Sequence, residues 1–210
     1  MNIRFSVLSA ILALSFSFFV NPALAEADVK KGESLSQTCL GCHGAPGLRN
    51  ASPVYRVPMI GGQNAEYLVE ALKAYKEKKR SHPTMRAQAA SLSEQDMKNI
   101  AAYFEGLDQE SKPFTKIGAK AGEKKAQVCV ACHGADGIAI NKTFPSLAGQ
   151  YDDYIERALL DYKSGARENA IMAGQVANLS KQDIKDLARW YRSLAGKLNA
   201  PVIKIKKSSD

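Results

Sequence analysis

The chain of 210 residues contains four cysteines, and all of them fall in two copies of one pentapeptide. Cys39-Leu40-Gly41-Cys42-His43 returns as Cys129-Val130-Ala131-Cys132-His133. Two cysteines three positions apart with a histidine directly after them form the attachment pattern of c-type haem. On one helical turn, each thiol can add to one vinyl group of the same porphyrin, and the adjacent imidazole can ligate the iron from below. Other uses of a C-x-x-C pair fit less well. A redox dithiol needs no following histidine and sits in a βαβ setting, and a zinc site would have to join pairs about ninety residues apart. The two motifs consume every cysteine and two of the three histidines, so no thiol is left for a disulfide. The sequence therefore implies two covalently bound haem c groups. Cys39, Cys42, Cys129 and Cys132 are the attachment thiols, and His43 and His133 are the proximal ligands.

What such a haem does depends on its other axial position, because an open site binds small molecules whereas a filled one mainly passes electrons. Four methionines follow the leader: Met59, Met85, Met97 and Met172. Met85 and Met172 occupy equivalent positions of an internal repeat, each expected in a loop seven residues before a leucine. These two are the candidate distal ligands. Met97 aligns with Ile184 and reads as core, and Met59 aligns with Ser146 and reads as loop packing. His82 is the competing ligand for the first haem, three residues before Met85, but its counterpart is Asn169, which cannot serve.

The repeat defines the elements that must hold these residues. Gly32 and Gly122 stand seven residues before the first cysteine of each motif, an offset of 90. Beyond the motif the offset becomes 87 and holds: Pro58 with Pro145, Gly62-Gln63 with Gly149-Gln150, Tyr67 with Tyr154, Arg80 with Arg167. Leu68, Ala71, Leu72 and Tyr75 match Ile155, Ala158, Leu159 and Tyr162, apolar positions with the spacing of an amphipathic helix. Ser93-x-x-Asp96 and Ser180-x-x-Asp183 read as capping boxes opening the last helix of each copy, which ends in Tyr103-Phe104 or Trp190-Tyr191. A helix is expected from about Asp28 to Cys42, with Gly32 and Gly122 letting the first helix of each copy cross close over the last. Strand-like alternation is confined to the Val202–Lys207 tail, so the expected fold class is all-α.

Four segments follow: an apolar leader over 1–25, a first domain over 26–108, a linker over 109–117 and a second domain with a short basic tail over 118–210. Arg4, the apolar run Phe5 to Val20 and Ala23-Leu24-Ala25 make the leader a signal peptide, cleaved after Ala25. A transmembrane anchor needs about 20 apolar residues, and this run stops at Asn21-Pro22. Export to the periplasm agrees with the cysteines, since haem attachment is extracytoplasmic and free thiol pairs there oxidise. Domains of this size bury only a marginal core from their own side chains, and each haem is expected to supply the missing centre. The formal charge is +8, divided as +2 over 26–117 (13 basic, 11 acidic) and +5 over 118–210 (15 basic, 10 acidic), with Arg4 supplying the remainder. For an exported haem protein this favours an acidic redox partner or an anionic membrane surface over nucleic acid. Pro58 and Pro145 are candidates for the carbonyls that orient the proximal histidines. Arg80 and Arg167 are either donors to the haem propionates or surface charge.

With C-x-x-C-H, a following proline, a distal methionine and a terminal aromatic helix, each half resembles a class I cytochrome c. The tandem arrangement, together with the repeated P-x-x-G-Q/A-G-Q and M-x-x-x-x-x-x-L-S patterns, resembles the dihaem cytochrome c4 family. That resemblance implies two domains packed with their haems close together and propionates near a pseudo-twofold axis. It also implies an electron carrier between a quinol-oxidising complex and a terminal oxidase, with no catalytic residues of its own. A similar dihaem module serves as the cytochrome subunit of flavocytochrome c sulfide dehydrogenases, which is the alternative; a dihaem enzyme fits less well.

Overall fold

The computed structural model describes residues 26–107 and 119–202. The leader, the linker expected over 109–117 and all of the Val202–Lys207 tail except Val202 lie outside them. Among the described residues the fold is helical, with isolated β-bridges and no strand.

In the first domain, α1 (Val29–Leu35) and α2 (Gln37–His43) precede α3 (Ala65–Lys76), α4 (Pro83–Ala90) and α5 (Glu94–Glu105). The second has α6 (Lys120–Lys125), a 3-10 turn over Ala126–Cys129, α7 (Val130–His133), α8 (Asp152–Ser164), α9 (Ala170–Val176) and α10 (Lys181–Ser193). Asp28 caps α1 by accepting from the Lys31 N–H at 3.0 Å. Both anticipated capping boxes form, Ser93 with Asp96 on α5 and Ser180 with Asp183 on α10.

The single helix expected from Asp28 to Cys42 is broken at Ser36. Its N–H is shared between the carbonyls of Gly32 and Glu33, at 3.0 and 3.2 Å, which tightens the turn toward 3-10 geometry. The second copy breaks at the equivalent Ala126, where the 3-10 turn begins. Both side chains are small and buried at the bend.

Each domain closes by crossing its first helix over its last. A Cβ on Gly32 would overlap the Asn99 carbonyl oxygen of α5, and one on Gly122 would overlap that of Asp186 on α10. The cores beneath are copies of one another. Leu68, Ile100, Ala101 and Phe104 in one correspond to Ile155, Leu187, Ala188 and Tyr191 in the other. The two domains also pair backbone across their boundary: the Ser81 N–H donates to Ala166 O at 2.8 Å, and the Glu168 N–H to Lys79 O at 2.7 Å. On another part of the boundary Arg56 reaches the start of α8, with Nη2 2.8 Å from Asp152 and Nε 3.0 Å from Asp153.

Candidate functional site

Each pentapeptide ends a helix, and the histidine that closes it is buried, His43 at 8% and His133 at 7% exposure. The two rings are held alike. His43 Nδ1 lies 2.8 Å from the Pro58 carbonyl oxygen and His133 Nδ1 lies 2.9 Å from that of Pro145. A carbonyl can only accept, so Nδ1 carries the proton in both rings and Nε2 keeps the lone pair that a metal would use. Burial pushes both imidazoles below their usual pKa, against the opposing effect of the proline carbonyls, and keeps them neutral.

No disulfide joins any of the four cysteines. Before haem attachment, burial raises the Cys39 and Cys129 thiols above their ordinary value and so favours the protonated form. In the second domain Cys129, Cys132, His133 and Met172 line one cavity of about 740 Å³. Its walls include Ile155, Leu159 and Leu187 of that domain, while Tyr67, Ala74 and Arg80 of the first domain also border it. A cavity of this size suits a large planar apolar group.

Met85 and Met172 are not in loops, as the sequence suggested, but in the first turns of α4 and α9. The reason is a cap that the repeat disguised. His82 Nδ1 accepts from the Met85 N–H at 3.2 Å, and Asn169 Oδ1 accepts from the Met172 N–H at 2.9 Å. His82 and Asn169 thus do the same work as N-caps, and their different chemistry is explained without ligation. A residue able to cap three positions before each methionine, with Pro83 at the first helical position of α4, was the available signal.

Arg80 and Arg167 are buried, which overturns the surface-charge alternative. Neither forms an ion pair with a carboxylate among the described residues. Instead both guanidinium groups converge on one phenol, Tyr67 Oη, at 3.4 Å from Arg80 and 2.7 Å from Arg167. Burial alone would raise the Tyr67 phenol, but the two cations outweigh it and hold it below its ordinary value. Arg167 Nε is buried without a partner. Two buried cations and one orphaned donor beside the cavity fit a group that brings carboxylates, as a haem does with its propionates.

Comparison with known proteins agrees with this geometry. The cytochrome c family model matches residues 29–108 and again 119–195. Cytochrome c4 of Pseudomonas aeruginosa is 32% identical over 186 residues, covering 82% of this chain and 91% of that protein. A thiosulfate dehydrogenase electron acceptor from Stutzerimonas stutzeri is 29% identical over 177 residues, covering 77% and 81%. The crystal structure of reduced recombinant cytochrome c4 from Pseudomonas stutzeri superposes with a TM-score of 0.69 at 30% identity, covering 80% of this chain and 99% of that one. Two cytochrome c domains carry two covalent haem c groups, and the residues present fit them. The chain belongs to the cytochrome c family, as a tandem two-domain member of the dihaem cytochrome c4 kind.

Proposed function

We propose that the protein is a periplasmic dihaem electron carrier that collects electrons from a quinol-oxidising complex and delivers them toward a terminal oxidase. The observation that carries the reading is the repetition of one arrangement. In each domain a buried, neutral histidine is oriented by a proline carbonyl, and a methionine is held at the start of a capped helix. In this reading Cys39 and Cys42 bear the first haem and Cys129 and Cys132 the second. His43 with Met85, and His133 with Met172, are the axial ligands. Bound haem iron supplies a one-electron couple, and the chain's contribution is to fix its ligands, shield it from water and set its surroundings. Filled axial positions favour electron transfer over substrate chemistry. No helix among the described residues is long and apolar enough to cross a membrane, which is compatible with an exported carrier after loss of the leader.

The oxidised holoprotein's near-infrared spectrum tests the ligand set. A methionine-to-iron charge-transfer band with intensity for two haems is expected. High-spin features, or intensity for one haem, would overturn it.

A second reading differs in the donor. The likeness to a thiosulfate dehydrogenase electron acceptor supports a carrier that serves a sulfur-compound dehydrogenase, related to the flavocytochrome alternative. Affinity purification of the holoprotein from its host separates the two. Retention of a sulfur-oxidising catalytic chain favours the second reading, and retention of respiratory complexes the first.

A further inference from the structure

The chain does not stop where the family match does. That match ends at residue 195, and the residues after it turn away from α10 and lie along the first domain. Leu198 is 1% exposed, in a cluster with Met59 and Tyr151. Asn199 exchanges both backbone hydrogen bonds with Gly61, each at 3.0 Å. Its side-chain Nδ2 donates to the Leu107 carbonyl at 2.6 Å, just past the end of α5. A Cβ on Gly61 would come within 2.6 Å of Asn199 Oδ1, and one on Gly44 within 2.8 Å of the Pro201 carbonyl oxygen.

These contacts share a location. Gly44 directly follows His43, and Met59 to Gly61 directly follow Pro58, whose carbonyl holds the His43 ring. The segment therefore lies against residues adjacent to both ends of the hydrogen bond that orients the first proximal histidine. Among the described residues the second domain has no copy of this. Gly134, the counterpart of Gly44, packs against Ile138 of its own loop.

We infer that residues 198–201 are a strap by which the second domain positions His43, so that Asn199 and Leu198 tune the first haem site and not the second. The inference rests on the proposed ligand set for identifying which haem responds. Ligand orientation and the hydrogen bond behind a ligating histidine both act on the metal's potential, and a buried backbone pair is a rigid way to fix them.

The test is a spectroelectrochemical titration of the holoprotein, resolved into two one-electron components. The variants are Asn199→Ala and a chain terminated after Lys197, with Met85→His marking the first haem. The expected result is that both strap variants move the component that Met85→His displaces and leave the other in place. The inference is overturned if neither component moves, or if both move together. Should the shortened chain fail to take up haem, Asn199→Ala carries the test, because it removes one amide and leaves the backbone pairing able to form. If Met85→His displaces neither component, the ligand assignment fails; the strap is then judged by whether one component moves alone.

Discussion

Gln63 and Gln150, equivalent residues of the repeat, clamp each other's domain with the same pair of hydrogen bonds. Gln63 Nε2 donates to the Ser146 carbonyl at 3.0 Å and its Oε1 accepts from the Ser146 N–H at 2.9 Å. Gln150 Nε2 donates to the Met59 carbonyl at 2.8 Å and its Oε1 accepts from the Met59 N–H at 3.1 Å. Met59 and Ser146 are themselves repeat partners, so the boundary has a local twofold. Each amide satisfies a buried backbone donor and acceptor that no strand or helix serves.

Truncating either amide should therefore destabilise the whole molecule. An unsatisfied buried polar group costs about 1–3 kcal/mol. Gln63→Ala and Gln150→Ala should each lower the unfolding free energy by about 2–4 kcal/mol, measured by guanidinium unfolding of the holoprotein. The double variant should lose less than the sum, since both act on one interface. Full additivity would show that the two clamps are independent.

Gly32 and Gly122 tolerate no side chain, because a Cβ at either meets a backbone carbonyl of the last helix. Backbone cannot swing aside like a side chain, so the helix crossing must open. Overpacking costs ~1–3 kcal/mol even where side chains can adjust. Gly32→Ala and Gly122→Ala should exceed that and reduce haem incorporation in the affected domain. A denaturing mass spectrum that shows full loading and an unchanged melting temperature would refute the crossing argument.

The haem motifs, the repeat and its conserved apolar spacing were legible because they are local or periodic: Leu68, Ala71 and Leu72 return as Ile155, Ala158 and Leu159. The glycine crossings were legible from the equivalence of Gly32 and Gly122. Two things were not. The helices holding Met85 and Met172 were hidden because one cap is a histidine and the other an asparagine, and only the shared hydrogen bond reveals their common role. The strap was hidden because its partners, Gly61 and Leu107, lie more than 90 positions away. Its residues have no counterpart among the described residues of the first copy.

The second domain has an acid-sensitive lock. Lys125 on α6 lies 2.6 Å from Asp183 and 2.6 Å from Asp186, both on α10. The hydrogen bonds from Lys125 hold both carboxyls below their ordinary pKa, aided by Ser180 at Asp183 and by Gln182 at Asp186. A carboxyl depressed in the folded state contributes stability above its unfolded value, about 3.9, and loses it as pH falls below that. Lys125→Met should lower the melting temperature at pH 7, with the difference from the parent shrinking progressively below about pH 4. A difference that persists undiminished at pH 2 would assign the effect to lost packing instead.

Arg167 offers a charge test of the buried cluster at the domain boundary. Its guanidinium stacks 4.6 Å from the Tyr162 ring centre, donates to Tyr67, has an orphaned Nε and borders the cavity lined by Cys129, Cys132, His133 and Met172. A buried cation beside a redox centre disfavours its more positive, oxidised form, and in a low-dielectric setting this is weakly screened. Removing the cation in Arg167→Met should therefore lower the midpoint potential of the adjoining haem, by on the order of 50 mV, where 59 mV is tenfold for one electron. Arg167→Lys keeps the charge but not the planar fork, and should recover most of the potential while losing stability. If Arg167→Met melts earlier with both potentials unchanged, the guanidinium holds the domains together and takes no part in setting the redox poise.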